Sequence, residues 1–286
     1  MKTIFKSSPF RVSLLALVAT SVFGGVMANE SFAAFPASLG TTNNTSVDKV
    51  DELATEVRAL LVARDHDAAR AKIAELVEAD GLSRRSKVWE LRGQMTSGLL
   101  NDILKEIDKM SRDKQGADTN YLYGMAFAIK ADQALASGIT DGTVSTFLLD
   151  AQNFLEQALE YDGPRFDDAY VILAKVARGN FDLDAAIAAG TKAVEYYPKD
   201  PVARIALGTA QLDRYSQISN DEARKEELVQ LGNDMLANLQ LGAETLPVEK
   251  DRTRASEFAR GWKKLAEAQL WLKDSRGAGV SYGEAM

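Results

Sequence analysis

One histidine is the whole imidazole inventory of this 286-residue chain, and there is no cysteine. His66 stands in "RDHDAA", between two aspartates, and the sequence alone reads it as a solvated turn residue. A lone histidine rules out a histidine pair and an HExxH zinc site. The missing cysteines rule out disulfides, a thiol nucleophile and cysteine-ligated metal or haem. Carboxylates are plentiful, but Glu226-Glu227 and Asp182-Asp184 fall in charged helical or turn segments, where solvated faces and helix starts account for them. Neither "GITDG" nor "SRGAG" has the lysine-serine ending of a phosphate loop. No catalytic residue, cofactor or metal is therefore assigned. One pair does suggest recognition: Lys175 and Arg178 lie three apart, on one face of a predicted helix, suited to an acidic group or chain terminus on a partner.

The elements that would carry these groups are helices. With 46% hydrophobic and 26% charged residues the composition is that of a globular or repeat protein, and six prolines leave long runs free for helix. Sustained β-branched alternation is absent, so the expected fold class is all-α. The first residues are a separate matter. Lys2, Lys6 and Arg11 precede an apolar stretch, and Val26 and Ala28 supply small side chains where a signal peptidase reads. A second cut is possible after Ala33, so the mature chain is expected to begin at Asn29 or Ala34. An uncleaved anchor is the alternative, because the run from Val12 to Ala28 approaches the length of a span. The expected organisation is a secretory signal at 1–28, a linker at 29–46 and a helical domain at 47–286.

Removing 1–28 takes three basic residues and no acidic one, moving the formal charge from −7 to −10. So acidic a chain is a poor partner for nucleic acid or anionic membrane. A signal with no cysteine points to a bacterial periplasmic or secreted protein held by its core alone.

The clearest unit is "FDDAYVILAKVARGNFDLDAAIAAGTKAVEYYPKDP". Tyr170, Leu173, Ala174 and Ala177 share one helical face, Gly179-Asn180 reads as a turn, Ala186, Gly190 and Ala193 share a second face, and Pro198 closes the unit. The pattern recurs at Trp89 and Gly93, at Tyr123, Gly124 and Phe127, at Ala151, Leu155 and Ala158, and at Leu207 and Gly208. Met235, Leu239 and Gly242 repeat the second-helix pattern ahead of Pro247. In the last segment Trp262, Leu265 and Ala266 take first-helix positions, Gly277 the turn, and Ala278, Tyr282 and Ala285 the second helix, so the final repeat reads as incomplete. Two units are overlong, between Gly124 and Ala151 and between Gly208 and Met235; longer helices and inserted elements both explain them.

These spacings resemble the tetratricopeptide repeat, with departures at Gly190, where the family carries a large side chain, and at Ala177, where it favours tyrosine. The resemblance implies an irregular α-solenoid of antiparallel hairpins that works as a non-catalytic scaffold. It implies a partner peptide or helix held on the concave face, with Tyr121, Met125, Val171, Lys175, Arg178, Ile205, Thr209 and Leu212 as the inward set. The lysine and asparagine clamp of chaperone-binding members is not reproduced. Two other functional classes remain open: an envelope enzyme or carbohydrate-binding protein using acidic residues, and a regulatory module of a larger protein. Tyr196, Tyr197, Phe258, Trp262 and Trp271 are expected in the core.

Overall fold

A computed structural model describes residues 44–81, 83–95, 100–111, 116–139, 141–246 and 252–286. The expected signal and the linker as far as residue 43 lie outside the described residues, as does Pro247. Twelve α-helices and no strand occur among the described residues. They are α1 (Asn44–Val62), α2 (His66–Asp80), α3 (Arg84–Gln94), α4 (Leu100–Ser111), α5 (Ala117–Ala136), α6 (Gly142–Asp162), α7 (Ala169–Gly179), α8 (Leu183–Tyr196), α9 (Pro201–Ile218), α10 (Lys225–Thr245), α11 (Arg252–Trp271) and α12 (Ser275–Glu284). Helix α1 takes in Asn44 to Ser46 of the expected linker.

Each helix packs on the next in sequence, and the first helices of successive hairpins also touch one another in the series α3, α5, α7, α9, α11. That pairing is an α-solenoid of tetratricopeptide-like hairpins, whose inner side is the side of the first helices. The excess length of the two overlong units goes into the helices themselves: α5 and α6 have 20 and 21 residues, and α9 and α10 have 18 and 21.

Local chemistry explains why hairpins recur. Arg64, Phe181 and Lys273 adopt φ of 58°, 62° and 64°, the left-handed conformation that ends a helix. Each is followed by an aspartate, and Asp65, Asp182 and Asp274 accept hydrogen bonds from the amides of Ala68, Ala185 and Gly277. Stop and start thus occupy two adjacent residues. The turn runs through Asn180 and Phe181, while Gly179 still belongs to α7, and Gly277 lies in the first turn of α12 rather than between helices.

Small residues mark where helices meet. A Cβ on Gly190 would stand 2.9 Å from Leu207 Cα, so α8 approaches the α9 backbone more closely than any side chain there would permit. This accounts for the absence of a large side chain at that position. Gly124 and Gly208 play the same part in their own hairpins, each facing a leucine of the second helix, Leu155 and Leu239. In α12 the buried line is Ala278 and Ser281, whereas Tyr282 is exposed and Ala285 half-buried; Ser281 donates to Gln269 Oε1 at 2.7 Å.

The main core gathers around Trp89, Tyr121 and Phe166, all fully buried, with Tyr121 stacked on Phe166 at 4.4 Å between ring centres. Burying three such side chains contributes several kcal/mol. The surface ion pairs at i, i+3, such as Lys105 with Asp102, are exposed and screened by solvent, so they add little beside it. Tyr196 and Trp271, expected in the core, are 41% and 47% exposed and have ring contacts with Tyr170 and Tyr215 respectively.

The array also curls back on itself. Val62, at the end of α1, packs with Val171 of α7 and Val202 of α9, linking the first hairpin to the fourth and fifth. Beside it, Arg58 Nε donates to Asp167 Oδ1 at 2.9 Å, with both side chains about nine-tenths buried. Arg58 also donates to Thr55, and Tyr197 donates its hydroxyl proton to Asp167. This ion pair has its hydrogen bonds made on both sides, the condition under which a buried pair holds.

Candidate functional site

Closure of α1 onto α7 and α9 bounds a cavity of about 450 Å³ on the first-helix side. Its apolar wall takes Val62 from α1, Met125 and Ile129 from α5, Leu148 from α6, Val171 from α7 and Val202 from α9. Its charged lining is Arg64, Arg92 and Lys175 against Asp132 and Asp168, with His66 and Gln133 as neutral polar groups.

Three of these side chains form one polar end. Asp168, 2% exposed at the start of α7, accepts the Tyr121 hydroxyl proton on Oδ2 at 2.8 Å, while its Oδ1 has no hydrogen-bond partner. Burial raises its pKa to about 6, against the opposing pull of the Arg92 guanidinium and the Tyr121 hydrogen bond. Arg92 is 7% exposed, and its Nε is likewise without a hydrogen-bond partner. Its charge acts on both Asp168 and His66. Burial, followed by Arg92, Arg64 and Arg70, holds the His66 imidazole below its usual value, and its Nδ1 too lacks a partner. His66 is therefore a half-buried member of the cavity and not the solvated turn residue the sequence suggested. It opens α2 directly behind the Asp65 cap.

The eight residues expected on the concave face are dispersed. Met125, Val171 and Lys175 line the cavity together. Tyr121 is fully buried behind it and reaches it only through Asp168, because stacking on Phe166 draws the ring into the core. Arg178 does not act with Lys175: it donates to Asp213 of α9 at 3.1 Å. Thr209 is buried and returns its hydroxyl to the Ile205 carbonyl at 2.6 Å. Leu212 belongs to the second core cluster with Met235 and Leu239. The Ile205 side chain is the one against which Gly242 and Gly261 make their close approach. For Tyr121, Thr209 and Leu212 the inward face is core, so the expected partner surface is corrected at those positions.

Sequence reasoning missed Arg92, Asp168, Asp132 and the α1 wall. The one signal that bore on them was the charge carried by Arg92 and Asp168 among apolar neighbours in "VWELRGQM" and "FDDAYVIL".

A second surface feature lies on the α5–α6 hairpin. Tyr123, Phe127, Phe154 and Phe147 form a half-exposed ladder of rings with centres 5.2 to 6.4 Å apart, and Lys130 Nζ stands 5.6 and 5.4 Å from the centres of Phe127 and Phe147.

Comparison with known proteins adds little to this picture. No family model matches the chain. No curated protein matches it. Among solved structures it is similar to a chain in the crystal structure of the APC/C hetero-tetramer Cut9–Hcn1, with a TM-score of 0.43 and 16% identity over 85% of this chain and 46% of that one. Among the described residues, no group of three His, Asp or Glu is placed to hold a metal ion, and no helix is long and apolar enough to cross a membrane.

Proposed function

We propose that this protein is a non-catalytic scaffold of the bacterial cell envelope, which holds a segment of a partner protein over the first-helix side of its array. The observation that carries this reading is the bounded cavity there, where an apolar wall and the charged Lys175, Arg64 and Asp132 meet in one recess. Surfaces of that composition, presented by stacked hairpins, bind with little loss of conformational entropy on the scaffold side. The location rests on the basic start, the apolar run and the small residues at Val26 and Ala28.

Photo-crosslinking tests it. A photoreactive residue in place of Lys175 should give one discrete adduct in the periplasmic fraction, on a chain whose mass begins at Asn29 or Ala34. The same residue in place of exposed Glu226 on α10 should give none. Equal labelling from both positions, or none from Lys175, would remove the cavity mouth from the binding surface. A second reading, a site for a small ligand, is favoured by Asp168 and Arg92, since a binding face for protein alone does not need two buried charged groups left short of hydrogen bonds.

A further inference from the structure

We propose that the cavity binds a small zwitterion with an apolar body, of the class of a free α-amino acid with a large hydrophobic side chain. This goes beyond the scaffold reading and does not rest on it. The volume of about 450 Å³ lies within the range of small-ligand sites. The packing of Val62 with Val171 and Val202 closes one side, so the space is a recess.

The polar end specifies the head group. Buried polar atoms in proteins are nearly always paired, yet here an acceptor, Asp168 Oδ1, and a donor, Arg92 Nε, are both unpaired in the same lining. A purely anionic ligand would satisfy Arg92 and face the Asp168 carboxylate; a purely cationic one would do the reverse. Only a head group with an ammonium and a carboxylate answers both. His66 adds a third polar contact beside Arg92. The rest of the wall, including Met125, Ile129 and Val171, is apolar and would take the side chain.

Isothermal titration calorimetry on the full chain tests this with L-phenylalanine, L-leucine, L-methionine and L-tryptophan. At least one should bind at one site per chain. Its deaminated acid and its decarboxylated amine should each bind about tenfold more weakly or worse, the cost of leaving one charged partner unmatched. Ile129→Trp, at a half-exposed position of the wall, should abolish binding while leaving the helical circular dichroism unchanged. Asp168→Asn should weaken the amino acid more than its deaminated acid. Absence of binding by all four at 10 mM (about the weakest affinity worth the name), equal affinity for the one-charge analogues, or undiminished binding to a folded Ile129→Trp protein would each overturn the proposal.

Discussion

Asp168 carries a cost that the rest of the molecule offsets. Its pKa of about 6 is raised by burial above the ordinary carboxylate value, so the native state holds a proton more firmly than the unfolded chain does. The sign follows: the group's contribution to stability is most favourable below the unfolded pKa and is lost as pH rises through about 6. Measured by urea unfolding, wild type should therefore gain about 2 kcal/mol relative to Asp168→Asn between pH 7 and pH 4. A parallel pH dependence of the two proteins would mean that Asp168 is not held in this environment. Nothing in the sequence signalled that behaviour. "FDDAY" offers two adjacent aspartates of the same composition, yet Asp167 is turned to Arg58 and Asp168 to Tyr121, and this division depends on helices distant in sequence.

Helices and turns were the legible scale. Periodicity marked the hairpins, and small residues marked their contacts, because both depend on neighbours within one repeat. The exact turns were less so: glycine drew attention at Gly179 and Gly277, while the left-handed residues are Phe181 and Lys273, tolerated because the following aspartate caps the next helix at once. Two glycine substitutions separate close approach from mere propensity. Gly190→Ala places a methyl 2.9 Å from the Leu207 Cα and should destabilise by about 2 kcal/mol, since a backbone must shift. Gly279→Ala, in α12 with nothing within 4 Å of the new atom, should stabilise by about 1 kcal/mol. Thermal unfolding of the two variants reads both signs directly. A stabilising Gly190→Ala would show that α8 and α9 are further apart than described.

At the scale of the whole array, the closure of the first hairpin on the fourth and fifth makes the site. Repeat spacing says how each hairpin meets the next, but it is silent on how far the superhelix turns, and therefore on whether α1 lines the groove or stands clear of it. That is why spacing pointed to Met125, Val171 and Lys175 but not to Val62, Arg92 and Asp168, which line the same cavity. The same closure explains the fate of the basic pair: Lys175 is at the recess, whereas Arg178, one turn further along α7, is engaged with α9. A charge reversal at Arg178 should therefore act through the Asp213 contact and cost less than about 1 kcal/mol, since both side chains are about a third exposed.

The central claim, that the first hairpin folds back onto the fourth, is tested most directly by a double-mutant cycle on Arg58 and Asp167, using Arg58→Met, Asp167→Asn and the pair together. The ion pair is buried and joins α1 to the start of α7, so each single change should cost about 3 kcal/mol and the coupling energy should exceed about 1 kcal/mol. A coupling energy near zero would mean that these residues do not meet, and that the array is open where the cavity is drawn.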